Sequence, residues 1–248
     1  MRYPDGIGGK SFFQKQVPEF VPAWVGRCRI EDTEFFVCNE LEELLYVVNL
    51  GCIPIHLWSS RCSDPQRPDW VVLDLDPKGA PFRNVVRIAR ALHGLCEALG
   101  IPHFAKTSGQ EGLHVLLPSG GVLSHDEART FAELLARLVV RSCGEIATLE
   151  RSVERREGKV YVDYLQNGFG KTIVAPFSLR ARPGAPVSAP LRWNEVRPGL
   201  DPLRYSLRSI PRRVARIGDP MADLLRSRPD WRGILGELSK RLEEDRST

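Results

Sequence analysis

Three acidic residues stand inside runs that otherwise read as buried strands. Asp74 and Asp76 interrupt WVVLDLDPKG, and Asp163 interrupts VYVDYLQN. An ionised carboxylate taken out of water is costly unless a cation or strong hydrogen bonds compensate it. On a strand, residues i and i+2 share a face, so Asp74 and Asp76 project together while Leu73 and Leu75 face the other way. Hard carboxylate oxygens so arranged suit Mg2+ or Mn2+. With Asp163 on a neighbouring strand, three carboxylates could hold two ions about 4 Å apart, the arrangement used for in-line phosphoryl and nucleotidyl transfer. The plainer alternative is that DLDP ends a strand and caps the turn at Pro77, since Asp before Pro is a common turn former. The third strand-borne acid weighs against it.

Between the acids lies KTSGQEGLHV. Ser108, Gly109 and Gly112 would let backbone N–H groups approach a phosphate closely, while Lys106 and His114 supply charge and a donor. It is not a Walker motif, and a glycine turn in a hairpin accounts for the same letters. His56, in IPIHLW, reads either as a site donor or as a satisfied core histidine. From Arg180 to Arg216 the chain carries nine arginines against only Glu195 and Asp201. This is either a solvated basic face or a surface for a polyanion, and the planar guanidinium fork, which grips phosphate bidentately, favours the second.

The elements that must position these residues are mixed. A chain of 248 residues with 42% hydrophobic content can bury a real core. The segment NELEELLYVVNLG predicts a short amphipathic helix with Asn39 as N-cap, Glu42 three residues on, and Leu41, Leu44, Leu45 and Val48 on one face. CIPIHLW predicts a strand, followed by a polar loop and the stronger strand DWVVLDLD. A helix is expected from Asn84 to Leu99, then two strands joined by a glycine turn, then a helix opened by the capping box Ser124 and Glu127. KVYVDYLQN alternates as a strand does, and a last helix is expected near Trp231 to Leu242. The hairpin-like junctions favour an α+β fold with largely antiparallel sheets over a doubly wound one. The six cysteines show no CxxC pair, so neither a zinc knuckle nor a disulfide framework is expected. No apolar run approaches the roughly 20 residues of a membrane span and MRYPDGIGGK lacks a signal peptide's apolar stretch, so the expected address is the cytosol.

Taken in order, IHLW, PDWVVLDLDP, KTSGQEGLHVLLP and VDYLQNGFGKTIVAPFSLRARPGAPVSAPLRW resemble the polymerase domain of ligase D, the bacterial end-joining enzyme, within the archaeo-eukaryotic primase superfamily. The resemblance runs from RYPDGIGGKSFFQK to beyond Trp193, nearly the whole chain, and implies one primase-polymerase-like catalytic domain over residues 1–248. It implies a template-directed nucleotidyl transferase that adds nucleotides, ribonucleotides preferentially, to primer 3′-ends at gaps or double-strand breaks, with Mn2+ or Mg2+ as a pair of ions and a nucleoside triphosphate as substrate. Ku and an ATP-dependent DNA ligase are the implied partners. By position, Asp74, Asp76 and Asp163 match the metal-binding acids. Ser108, His114, Gln166 and Arg180 match contacts to the incoming nucleotide, chiefly its triphosphate, with His56 and Lys171 assigned to the same pocket. Phe12 and Phe13 match the aromatic pair beside the base, where stacking on a π-face tolerates any base. Lys15 and Arg182 match DNA contacts. Two departures stand out. Gln110 and Glu111 replace a loop lysine common among relatives, and a lysine-bearing segment is expected ahead of RYPDG that this sequence does not contain. A DNA-end-binding module without catalysis and a metal-dependent phosphoesterase are the competing functions. The three acids argue against the first, because a pure binder gains nothing from negative charge facing phosphate.

Overall fold

The computed structural model describes residues 1–244. A hairpin of β1 (Arg27–Ile30) and β2 (Thr33–Phe36) precedes helix α1 (Leu41–Asn49), and β3 (His56–Trp58) leads into a second hairpin, β4 (Ser60–Arg61) and β5 (Asp64–Pro68). The central part of the chain runs through β6 (Trp70–Asp76), α2 (Phe82–Ala98), β7 (Phe104–Thr107), β8 (Leu113–Pro118), α3 (His125–Ser142) and β9 (Ala147–Thr148). It continues with β10 (Val160–Asp163), β11 (Thr172–Val174), β12 (Pro190–Leu191), α4 (Ile210–Ile217) and α5 (Trp231–Glu244).

One six-stranded sheet, ordered β12-β7-β8-β6-β10-β9, organises the molecule, and only its β10–β9 pair is parallel. The fold is therefore α+β with largely antiparallel sheets, as the junctions predict. Period-2 alternation divides β6 between two environments. Val71, Leu73 and Leu75 pack into the main core with Val85, Ile88, Ala89 and Leu92 of α2 and Phe131 and Leu135 of α3. Val72 faces the other way, into a smaller cluster with Leu116, Ile173, Met221 and Leu224. Asp74 and Asp76 continue that second face. The helix side holds the sheet, and the opposite side is left for chemistry.

Helix starts follow their local signals. Ser124 Oγ accepts from Glu127 N at 3.2 Å while Glu127 Oε2 accepts from Ser124 N at 2.7 Å, so the predicted capping box opens α3. Helix α2 begins at Phe82, before the expected Asn84, because Pro81 at φ −59° already fits a helix entry. Helix α1 differs more. Its first turn is closed by Glu43, not Glu42: Glu43 Oε2 accepts from Asn39 N at 2.7 Å and Glu40 N at 3.0 Å, and Oε1 from Gly26 N at 2.9 Å. Those backbone donors hold the Glu43 carboxyl below its ordinary value. The helix is thereby turned so that Val47 is buried, and Leu41, Leu44, Leu45 and Val48 are exposed.

The cysteines are also corrected. Cys28 on β1 is disulfide-bonded to Cys62 in the β4–β5 turn, with Cα atoms 5.9 Å apart. The partners are separated by 34 residues and lie on different hairpins, so no spacing motif marks them. The stretch expected as a polar loop is itself the β4–β5 hairpin. Cys38, Cys52, Cys96 and Cys143 are free. Among the described residues, no helix is long and apolar enough to cross a membrane.

Candidate active site

Strand register assembles the site. Asp163 on β10 pairs with Asp74 on β6, Asp74 pairs with His114 on β8, and His114 pairs with Lys106 on β7. Directly paired residues point to the same face of an antiparallel sheet. Lys106, His114, Asp74 and Asp163 therefore form one row across four strands, on the face opposite the helices. Asp76 heads a parallel row with its own partner, Tyr161.

Each carboxylate has different support. Asp163 Oδ1 accepts from Leu165 N at 2.8 Å and Tyr161 Oη at 3.1 Å, and its Oδ2 accepts from Gln166 Nε2 at 2.9 Å. Asp76 Oδ2 accepts from Arg156 Nη1 at 2.9 Å. Arg156 is itself fixed by the carbonyls of Glu150 and Arg151 and lies 4.6 Å over the Tyr161 ring. Among the described residues, the Asp74 carboxylate meets His114 Nε2 alone, at 3.4 Å. Burial, then the charges of Asp163 and Asp76, push the Asp74 carboxyl up to about 7. Asp74 is thus the group that most needs a cation.

Behind Asp74 runs a polar chain. Ser188 Oγ donates to Thr107 O at 2.8 Å and so accepts from Lys106 Nζ at 2.7 Å. Lys106 Nζ in turn lies 2.7 Å from His114 Nδ1. In its ammonium form Lys106 has only protons to offer, so His114 Nδ1 then accepts and the imidazole proton resides on Nε2, facing Asp74. Burial and the Lys106 charge keep His114 well below its usual range, hence neutral. Burial also lowers Lys106 to about 7, although Asp74 opposes the shift. Register and tautomer together aim one N–H at one carboxylate.

The loop between β7 and β8 makes a second wall. Ser108 Oγ accepts from Gln110 N at 3.1 Å and Gly112 N at 3.0 Å, which folds the loop and leaves the hydroxyl proton free to donate. Gly109, at φ +73°, is closely covered: a Cβ there would lie 2.7 Å from Arg180 Cγ and 3.0 Å from Ser188 N. Arg180 reaches the loop, where Gln110 Oε1 accepts from its Nη2 at 2.7 Å and its Nε at 3.2 Å once the amide oxygen faces the guanidinium. Burial and then Arg182 hold the Arg180 guanidinium below its ordinary value. His56 is kept neutral, lowered to about 4 by burial and the Arg180 charge, and among the described residues its buried Nδ1 makes no hydrogen bond of good geometry. The Phe13 ring centroid is 5.6 Å from that of His56, and Phe12 and Phe13 are each 45% exposed, open to a stacking base.

Three predicted residues stand apart. Lys15, Lys171 and Arg182 are exposed, and none of their side chains bonds to the acids or to the Ser108 loop among the described residues. Gln166 joins the site by holding Asp163. Sequence reasoning missed Arg156, Ser188 and Asn167. Asn167 Oδ1 accepts from Val72 N and its Nδ2 donates to Val72 O, both at 2.8 Å, so its amide acts as a strand partner for β6. Only Arg156 carried a signal, as a cation a few residues ahead of the Asp163 strand.

The donor set fits divalent cations. Asp74 and Asp163 are cross-strand neighbours, Asp76 shares the Asp74 face, and Asp74 bears the repulsion of both. Oxygen-only ligation suits Mg2+ or Mn2+.

The family described as LigD, primase-polymerase domain, matches residues 1–221 of this sequence. The chain belongs to that family. LigD primase-polymerase domains are nucleotidyltransferases, and the ordered motifs agree with the match. The "Bifunctional non-homologous end joining protein LigD" of Bacillus subtilis is 33% identical over 245 residues, covering 97% of this chain and 40% of that protein. The "Multifunctional non-homologous end joining protein LigD" of Pseudomonas aeruginosa is 35% identical over 230 residues, 90% of this chain and 27% of that protein. The chain thus spans less than half the length of these LigD relatives. Among solved structures, the polymerase domain from Mycobacterium tuberculosis ligase D in complex with DNA superposes with a TM-score of 0.82 at 29% identity, over 92% of this chain and 84% of that one.

Proposed function

We propose that this LigD primase-polymerase domain, as one catalytic unit, adds nucleotides to primer 3′-ends at DNA gaps or double-strand breaks in non-homologous end joining, with ribonucleotides preferred. The observation that carries this reading is the cross-strand register that pairs Asp163 with Asp74 and sets Asp76 on the same face. Asp74, Asp76 and Asp163 hold two divalent ions, Mn2+ or Mg2+. When bound, such ions supply charge neutralisation at the triphosphate and a lowered pKa at the primer 3′-hydroxyl. The protein's own groups do the positioning. Ser108, its loop amides and Arg180 bind the triphosphate, while His114 orients Asp74 through the Lys106 chain. His56 offers its Nδ1 to the nucleotide, and Phe12 and Phe13 stack on the base. Lys171 adds charge beside the nucleotide, and Lys15 and Arg182 contact DNA. Transfer then relies on positioning and electrostatics, with no protein nucleophile.

The likeness to LigD proteins supports Ku and an ATP-dependent DNA ligase as partners and the bacterial cytosol as the place of action. Incubation with labelled nucleotide, a gapped duplex and Mn2+ tests the whole reading. Extension of the primer is expected. Binding without extension would instead favour an end-binding module, and shortening a phosphoesterase.

Two substitutions probe the triphosphate wall. Arg180→Ala is expected to raise the nucleotide KM by about tenfold or more, with a smaller fall in kcat, because a guanidinium clamp contributes to ground and transition states alike. Steady-state kinetics at varied nucleotide decides it, and an effect confined to DNA affinity would move Arg180 to the DNA surface. Glu111→Lys, on an exposed loop position, is expected to tighten nucleotide binding by a few-fold, since it exchanges a repelling charge for an attracting one. Nucleotide titration of the two proteins provides the comparison.

A further inference from the structure

At the opposite end of β7 from the Ser108 loop, where α2 ends, three further ligand-type groups converge. His93 and Glu97 lie one turn apart on α2, and His103 immediately precedes β7. His93 Nδ1 is 2.6 Å from His103 Nε2, and Glu97 Oε1 is 4.0 Å from the first and 3.8 Å from the second. His103 Nδ1 lies 2.7 Å from Ile101 O, to which it must donate, so its Nε2 is left as a lone pair facing His93 and Glu97. That is the outer hydrogen bond typical of a metal-ligating histidine. The Trp193 ring stacks on His93 at 4.3 Å and 13°, and its Nε1 donates to the His103 backbone carbonyl at 3.0 Å, so Trp193 packs against the pair.

We propose that His93 Nδ1, His103 Nε2 and Glu97 Oε1 form a Zn2+ site, separate from the carboxylate row, that fastens the end of α2 to the start of β7. Two imidazoles and one carboxylate are a donor set zinc accepts, with a fourth position left for water. A cleft of about 410 Å3, lined by Glu97, His103, Phe104 and Trp193 among others, adjoins two of the three ligands. Tetrahedral ligation at ordinary Zn–N distances places ligand atoms about 3.3 Å apart. The two nitrogens must therefore separate slightly and the carboxylate close in, which Glu97, with 67% of its side chain exposed, can do freely. Without metal, His93 Nδ1–H donates to His103 Nε2. Binding moves that proton to His93 Nε2, a change of tautomer with no net loss of proton.

The test uses the full chain carrying Asp74→Asn and Asp76→Asn, so that the carboxylate row does not compete for metal. Zn2+ titration by calorimetry is expected to give one ion per chain, and a hundredfold excess over Kd to raise Tm by about 5–10 °C. Adding His93→Gln should abolish the stoichiometric binding. Adding Glu97→Gln, at an exposed position that the fold does not depend on, should weaken it about tenfold or more. Co2+ in place of Zn2+ should show d–d absorption without thiolate charge transfer, excluding the free cysteines as ligands. Absence of stoichiometric binding, unchanged affinity in the Glu97→Gln chain, or a thiolate band would each overturn the proposal and leave the three residues as a hydrogen-bonded packing cluster.

Discussion

Replacing Asp74 by Asn abolishes nucleotide addition and, in the absence of metal, makes the protein more stable. The activity loss is expected to reach at least about 10²–10³-fold, the scale for removing one preorganised electrostatic group from a transition state. The stability gain has the opposite origin. The Asp74 carboxyl is raised from 3.8 to about 7 by burial and by the charges of Asp163 and Asp76. A raised carboxyl keeps its proton in the folded chain while the unfolded chain releases it, so stability falls as pH climbs from about 4 to about 7 and stays reduced above that. Asn escapes the penalty and its carbonyl can still accept from His114 Nε2. Thermal melts without metal should therefore show the variant ahead at pH 8, by up to a few kcal/mol, with the gap closing towards pH 4. Mn2+ should reverse the order by stabilising only the parent. A variant that retained substantial addition would remove Asp74 from the metal set.

Gly112→Ala is expected to damage stability and activity together. Gly112 has no left-handed φ to protect, so a side chain is forbidden there by space alone. A Cβ would lie 2.4 Å from Leu75 O, a backbone atom of β6 between the two acids. Backbone cannot swing aside as a side-chain tip does, so β6 must move or the β7–β8 turn must open. Overpacking of this kind costs about 1–3 kcal/mol, and each kcal/mol lowers Tm by about 2–4 °C in a chain of this size. Displacement of β6 also shifts Asp74 and Asp76 against Asp163, so kcat should fall out of proportion to the loss of folded protein. Gly94→Ala serves as the control. It lies within α2 with nothing near its Cβ position, and should stabilise by about 1 kcal/mol through helix propensity. Melting curves and kcat on the two variants decide the matter, and equal behaviour would mean the turn absorbs the methyl.

Much of this was legible in the residues. Period 2 put Asp74 and Asp76 on one face, and the same rule isolated Asp163, because an acid within a β-branched run is a strong local anomaly. Capping chemistry located α3 to the residue. What alternation cannot supply is register. Lys106, His114, Asp74 and Asp163 come from four separate segments, and only the strand pairing makes them adjacent. The Lys106 chain was hidden for that reason, with Ser188 contributed from the segment just ahead of the edge strand β12. Helix α1 was misread in phase because two glutamates, Glu42 and Glu43, could each close its first turn, and the Gly26 amide that selects Glu43 is distant in sequence. The disulfide escaped because its partners are neighbours only after two hairpins have formed.

The row across the sheet also orders events during folding. Strands β7 and β8 are adjacent in sequence and can pair early as a hairpin, bringing Lys106 and His114 together at low entropic cost. Strand β6 joins them from nearby. Strand β10 arrives after the whole of α3 has intervened, and its docking is a long-range contact that closes the largest loop among the row's members. Until it docks, Asp74 faces His114 on β8 and meets the charge of Asp76 on its own strand, with no opposing acid from β10. The repulsion that Asp163 adds to that of Asp76 therefore arises only in the last long-range step of assembling the row, and a divalent cation present during refolding removes that added opposition at the point where it first appears.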